Sequence, residues 1–292
     1  MKLKKLITIT FLIVLATHSI AQNDSINKKL LYGNLAFDAL AISSSYVLLN
    51  SLWYKDYPQT TLHWFNDCNE WNGMDKVGHS FSTYHISSVY TAQMKWSGLD
   101  SETSAIIGSS LGFITMSSIE LLDAQSSQWG ASACDLLANF IGASLYLGQQ
   151  IGWKEQRLIL KYSFHSTELS DHRPDLLGET FGQQLIKDYN GQTYWLSANI
   201  RSFTNIIWWP KIINIAIGYG ANGMLGGKTN PEDLPYYDRY SQFYLSIDLD
   251  LRAIPTKSKF LKSIFSVINI IKFPMPTLEY SNNQFKGHYL YF

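Results

Sequence analysis

The sequence predicts an α+β fold, with an N-terminal antiparallel four-helix bundle followed by a mixed strand and helix region. Three observations carry this expectation. Residues 28–153 hold four long apolar stretches of helical rather than strand length, and short polar connections separate them. Beyond residue 156, tyrosine, tryptophan and asparagine become more frequent and polarity alternates with a period of two. The chain has 292 residues, 46% hydrophobic and 16% charged, which excludes a disordered or fibrous protein. Bases and acids balance at 23 each without a basic stripe, so nucleic acid is not an expected partner.

The N-terminus reads as a signal peptide, residues 1–21. Lys2, Lys4 and Lys5 precede the uncharged apolar run Leu6–Thr17, and Ser19-Ile20-Ala21 places small residues where a signal peptidase reads them. The run is shorter than the ~20 residues of a membrane span. No cysteine follows the cleavage point, so no lipid anchor is expected there. Export places Cys68 and Cys134 in an oxidising compartment, where they form one disulfide or remain two buried thiols; spacing leaves both open.

Residues 22–155 form the expected helical domain, with helices at about 30–53, 76–97, 103–123 and 132–153. The short segments between them make sequential helices antiparallel neighbours. Ser101 and Ser132 stand at N-terminal capping positions. Gly108 and Gly112 have the spacing that lets two helix backbones approach closely, in a bilayer or in a tight soluble bundle. Residues 103–119 and 136–153 approach spanning length. Against full crossing, Lys154, Arg157 and Lys161 mark a cytoplasmic flank, whereas four crossings from an external residue 22 would return the chain outside. This favours a periplasmic or outer-membrane-associated location, with the inner membrane as the alternative.

Residues 156–292 form the mixed region. Alternation predicts strands in Arg157–His165, Thr193–Arg201 and Ser241–Ile254. Helical spacing marks Leu176–Lys187 and Lys257–Ile271, the latter ended by Pro274 and Pro276. Asn190-Gly191 predicts a tight reverse turn. Asn283–Phe292 reads as a terminal strand similar to the last strand of outer-membrane barrels, yet too few ten-residue strands are visible to close one. The glycines from Gly218 to Gly227 lack nucleotide-site spacing and read as a flexible loop or tight backbone packing. Trp208-Trp209 and Tyr236-Tyr237 suit a membrane interface or an ordinary core equally.

Candidate chemistry lies in the helical domain. Asp75 with His79, Glu120 with Asp123, and Asp135 with Asn139 each share one helix face. The first and third pairs open their helices and the second closes one, so antiparallel packing brings all six into one layer. Asp75, His79, Glu120 and Asp135 are the candidate catalytic residues; Lys76, Asp123 and Asn139 are the candidate binding residues. Acids clustered in an apolar layer must be paired, protonated or bound to a cation. Three readings stay open: a structural hydrogen-bond network, a catalytic or ligand-binding site, and a metal site. One histidine and an amide make a poorer ligand set than the Glu-x-x-His pairs of carboxylate-bridged helical sites. No cofactor is specified.

The strings Asp75-Lys76-Val77-Gly78-His79, Ser118-Ile119-Glu120-Leu121-Leu122-Asp123 and Ala133-Cys134-Asp135-Leu136-Leu137-Ala138-Asn139 resemble the YfiM-type predicted periplasmic lipoproteins, a family of unknown function. Their order also resembles VanZ-like membrane proteins. The resemblance covers residues 73–146 and implies an envelope location, not a reaction. The chain departs from the lipoprotein pattern in lacking a lipobox cysteine and in its long C-terminal extension. No Gly-x-Ser-x-Gly elbow, P-loop, His-Glu-x-x-His or Cys-x-x-Cys is present. The expected function is an exported envelope protein that binds or senses a lipid-like envelope component. The alternatives are an acid–base enzyme acting on an envelope lipid or lipid-linked substrate, and a scaffold without ligand.

Overall fold

The computed structural model describes residues 26–55, 57–204 and 206–292. The proposed signal peptide lies outside the described residues. The chain is α+β and divides into two compact units. Among the described residues, those from 26 to 65 with 82–151 make a helical unit, and those from 66 to 81 with 152–292 make a sheet unit.

The helical unit contains α1 (Lys28–Leu49), extended by a π-helical turn through Tyr54, then most of α2 (Met74–Trp96), α3 (Ser101–Ser117), the single turn α4 (Glu120–Asp123) and α5 (Ala133–Gly152). Asn27 caps α1 by accepting from Leu30 N at 3.1 Å. Asp100, not Ser101, caps α3, accepting from Glu102 N and Thr103 N at 3.0 and 2.9 Å. A carboxylate one residue earlier serves both first-turn amides and complements the helix dipole. Ser132 does cap α5, its Oγ accepting from Asp135 N at 3.1 Å.

Leu31, Leu35, Met94 and Leu99 form the apolar cluster of this unit. Much of its remaining interior is polar. The Asn34 amide donates to Ser97 Oγ at 3.1 Å, Gln93 to Asp38 Oδ1 at 2.8 Å and Thr83 to Asn139 Oδ1 at 3.0 Å, while Tyr90 and Thr115 hydroxyls meet at 3.0 Å. Gly108 and Gly112 place α3 directly against Thr91 and Ser87 of α2.

The sheet unit is a six-stranded antiparallel meander, ordered β1 (Leu158–Phe164), β2 (Gln192–Ala198), β3 (Ile213–Asn222), β4 (Tyr240–Leu249), β5 (Met275–Ser281) and β6 (Gln284–Tyr291). Asn282 and Asn283, both with positive φ, turn β5 into β6, as a two-residue hairpin loop requires. The sheet curls. Segment 270–272, which leads into β5, pairs with Tyr162 of β1 through Tyr162 N to Ile270 O at 2.9 Å and Lys272 N to Tyr162 O at 2.8 Å.

One face of this sheet is enclosed and largely polar. Lys161 Nζ and Asp248 Oδ2 stand 2.7 Å apart, both side chains fully buried. Ser197 donates to the same carboxylate at 2.6 Å and Asn214 donates to Ser197 at 2.9 Å. Trp195, Ala216, Tyr244 and Tyr291 supply the apolar part, with the Trp195 indole donating to Ser163 at 2.9 Å. The other face carries Ile217, Phe243, Leu245, Ile247, Leu278 and Tyr280, all exposed.

After α6 (Leu169–His172), the expected helix over 176–187 is instead split between the end of α7 (Pro174–Leu177) and α8 (Phe181–Lys187). Gly178, at φ +105°, interrupts the spacing, and a side chain there would meet Gln184 N at 2.7 Å. The helix expected at 257–271 is α9 (Lys259–Ile268). Strands β3 and β5 were not expected. Gly218 and Gly220 weaken the β signal of the first, and Pro276 sits in the second where the β5–β6 register shifts, so the ladder does not need its missing N–H.

Candidate functional site

The sheet unit holds the first part of the candidate site. Before α2 the chain makes a tight left-handed turn: Trp71, Asn72 and Gly73 have φ of 51°, 50° and 77°. Such angles are costly outside glycine and persist only where contacts enforce them. Here Trp71 N donates to Gly227 O at 2.8 Å and the Tyr219 hydroxyl donates to Asn72 O at 2.5 Å. Gly227 lies so close that a Cβ would sit 2.8 Å from the Glu70 carboxylate. The Arg239 guanidinium holds the same loop by donating to the Gly226 and Gly227 carbonyls at 2.7 and 2.6 Å. The glycine-rich segment is therefore a clamp, which agrees with tight packing and not with a flexible loop.

The clamp fixes where α2 begins, and with it Asp75, Lys76 and His79. Asp75 Oδ1 accepts from the Tyr189 hydroxyl at 2.8 Å and lies 3.8 Å from His79 Nε2. Its Oδ2 accepts from Lys76 Nζ at 2.9 Å, and Lys76 also pairs with Asp67 at 2.7 Å. One carboxylate thus faces an ammonium, a phenol and an imidazole. Gly78 allows this turn to lie against β2, since a Cβ there would be 2.9 Å from the Tyr194 hydroxyl. Phe81 packs between Tyr162 and Tyr194, at 6.0 and 5.4 Å between ring centroids. Nearby, burial pushes the Glu70 carboxyl above its ordinary range, offset in part by Lys228 at 3.7 Å.

The helical unit holds the second part. Glu120 is buried and its Oε2 accepts from Ser132 N at 2.9 Å; Ser132 in turn caps Asp135. A serine therefore links the Glu120 and Asp135 positions. Asn139, one helical turn beyond Asp135, accepts from Thr83 of α2. Asp123 bonds elsewhere: its Oδ1 accepts from the Tyr54 hydroxyl at the end of the first helix, at 2.7 Å. The two acids of α4 thus serve different neighbours.

Residues 63–148 match the family model described as Predicted periplasmic lipoprotein (DUF2279). This segment contains Asp75, Lys76, His79, Glu120, Asp123, Asp135 and Asn139, and the family's function is unknown. The match is consistent with an exported or envelope-associated chain. No curated protein and no solved structure matches the chain. Cys68 and Cys134 are disulfide-bonded, and no free thiol is present.

Several neighbours of the motif residues were not foreseen: Asp67, Trp71, Asn72, Tyr189, Thr83 and Ser132. Only Ser132 had a local signal, its capping position before Asp135. Tyr189 and Tyr219 come from more than a hundred residues away in sequence, beyond the reach of helical spacing.

Proposed function

We propose that this chain is a lipid-embedded protein of the cell envelope whose helical unit engages the polar part of an envelope lipid. One observation supports the reading above others: the helical unit has inverted polarity. Leu40, Val47 and Phe140 are 70%, 73% and 58% exposed, while Asn139 is fully buried and Ser87, Thr91, Ser104, Ser109 and Gln149 are buried with it. A bundle bathed in water places these classes the other way round; large exposed apolar surface with small and polar residues between helices is what a lipid environment selects. Helix lengths agree, since Lys28–Tyr54 and Ser101–Asp123 are long and apolar enough to cross a membrane. The likeness of the motif order to VanZ-like membrane proteins points the same way.

In this reading the four long helices form a bundle, and Asp75, His79, Glu120 and Asp135 gather in a polar layer. Lys76, Asp123 and Asn139 flank it. Asp75 and His79 lie two turns and one turn before Thr83 on the same helix, and Thr83 is bonded to Asn139. Carboxylates and an imidazole there would hold the hydroxyl or amine groups of a lipid headgroup. The metal reading of these carboxylates and imidazole stays part of the proposal, so bound metal is measured alongside lipid. A second reading, acid–base catalysis on an envelope lipid, draws on His79 beside Asp75, a pairing that suits proton transfer near neutral pH.

The test is purification of the full chain from envelope membranes, with native mass spectrometry of the wild type and of Glu120→Gln, Asp135→Asn and His79→Gln. We expect the chain to resist alkaline extraction from membranes. A co-purifying lipid should be retained by the wild type and reduced about tenfold or more in the variants. Full lipid retention with loss of complementation in a deletion strain would favour the acid–base reading. Release of the wild type by alkaline washing, with no lipid bound, would leave only a scaffold.

A further inference from the structure

Within the sheet unit, one end of the meander carries a pocket that the motif residues do not touch. It encloses about 470 Å³ and is built where β1 begins, β2 ends, β3 begins and β4 ends. Antiparallel order brings these four strand termini to one end of the sheet. Four cations line it, Arg157, Arg201, Lys211 and Arg252, with two acids, Glu155 and Asp250.

The charges do not cancel. Arg157 is held by Glu155 at 2.8 Å, and Arg252 makes a fork with Asp250, both contacts at 2.9 Å. Each acid is thereby committed. Arg201 donates to the Ile207 carbonyl at 3.1 Å, and among the described residues no carboxylate lies within ion-pair reach of Arg201 or Lys211. Two positive charges thus face the pocket without an acidic counterpart. The wall is stiff. The Asn199 amide donates to the carbonyls of Pro210, Lys211 and Ile213 at 3.1, 2.9 and 2.8 Å, and its Oδ1 accepts from Arg201 N at 3.0 Å. A preorganised cradle of guanidinium and ammonium donors is the arrangement that binds a phosphate group well.

The rim is apolar. Ile207 and Trp208, in the β2–β3 connection, are 76% and 77% exposed, and Phe203 and Trp153 stand partly exposed beside Arg157, whose guanidinium lies 5.8 and 5.1 Å from their rings. The β4–β5 connection leaves from this end too. It carries α9, with Phe260 and Val267 exposed and Lys257, Lys259 and Lys262 around its start. A pocket for a soluble anion gains nothing from exposed tryptophan and isoleucine. A bilayer surface uses both parts, because aromatic rings settle at the headgroup level while basic side chains meet phosphate.

We propose that this end of the sheet is a headgroup site for an anionic phospholipid, with the phosphate between Arg201 and Lys211 and Trp208 seated at the bilayer interface. The site is separate from the carboxylate–imidazole layer and does not depend on the reading given to that layer.

The test uses the full chain in neutral detergent, titrated with dioctanoyl phosphatidylglycerol, dioctanoyl phosphatidylcholine or inorganic phosphate, with binding followed by native mass spectrometry. Saturable phosphatidylglycerol binding is expected, weakened at least tenfold by R201Q/K211Q and by raised salt. Phosphatidylcholine should bind at least tenfold more weakly. Trp208→Ser should lose phosphatidylglycerol affinity while keeping any competition by phosphate. Lys211→Gln alone removes an exposed side chain and guards against misfolding of the double variant, with an unchanged melting midpoint as its control. Equal binding of the two lipids, or wild-type affinity in folded R201Q/K211Q, would overturn the proposal. Phosphate binding with no lipid preference would overturn its lipid part and assign the pocket to a free anion.

Discussion

Gly78 and Lys272 show how much single positions decide. Gly78 sits between Asp75 and His79 in the first motif string, but the Tyr194 hydroxyl occupies the space a methyl would need. Gly78→Ala forces Tyr194 or the start of α2 to move, at a cost of about 1–3 kcal/mol by overpacking. A lowered melting midpoint, together with altered Tyr189–Asp75 geometry, is the expected outcome; an unchanged midpoint would show that Tyr194 yields freely. Lys272 is almost fully buried, with its ammonium 4.7 Å from the Trp195 ring and donating to Phe273 O at 3.0 Å. Burial lowers its pKa from 10.5 to about 8, against the pull of Asp248. Because the folded pKa is lowered, the unfolded chain binds more protons between about pH 8 and 10.5, so this group makes stability rise with pH across that window. Below pH 8 the buried cation costs stability. Lys272→Met should remove that slope in a series of melts from pH 7 to 10; a slope identical to the wild type would place the titration elsewhere.

Among the elements, the α2–α3 contact is the one most readable from sequence. The Gly108–Gly112 spacing announced a close approach, and the structure brings Thr91 and Ser87 to those positions. A Cβ at Gly108 would lie 2.5 Å from Thr91 N and 2.8 Å from its Cα, so the obstacle is backbone and no rotamer relieves it. Gly108→Val should separate the two helices and cost about 3 kcal/mol, toward the upper end of overpacking penalties. Gly33→Val, where nothing lies within 4 Å of the added Cβ, is the control and should lose only what helix propensity dictates. Equal loss in both would discard the packing explanation. The long helices were legible because their apolar stretches are continuous and their ends carry caps. Strands β3 and β5 were not, because their glycines and Pro276 make sense only once Trp195 stacks where Gly218 leaves room and the register shift spares the proline. Of the candidate site, helical spacing placed the motif residues in pairs on shared helix faces, while the turn at Trp71–Gly73 and its tyrosine partners depend on distant chain.

For the whole molecule, composition gave an ordinary hydrophobic fraction; what distinguishes the chain is where those residues sit, and a count cannot show that. The sheet repeats the helical unit's inversion, with Lys161, Ser197, Asn214 and Asp248 enclosed and Ile217, Phe243 and Leu245 outside. Polar interiors bind their elements through directional bonds, each small in net worth but costly to leave unmade. A chain held this way gains from a covalent restraint on its unfolded state, and Cys68 and Cys134, the only two cysteines, are oxidised. Closing a loop of roughly 65 residues is worth about 4 kcal/mol in the chain-entropy account. Protein purified from the envelope without reductant should therefore show no titratable thiol after unfolding. Cys68→Ser/Cys134→Ser, or treatment with dithiothreitol, should lower the melting midpoint by several degrees. The same chain expressed without residues 1–21 should stay in the reducing cytoplasm and behave like the double variant. Two free thiols in the envelope-purified protein, or equal midpoints with and without the bridge, would remove both the restraint and the compartment it implies.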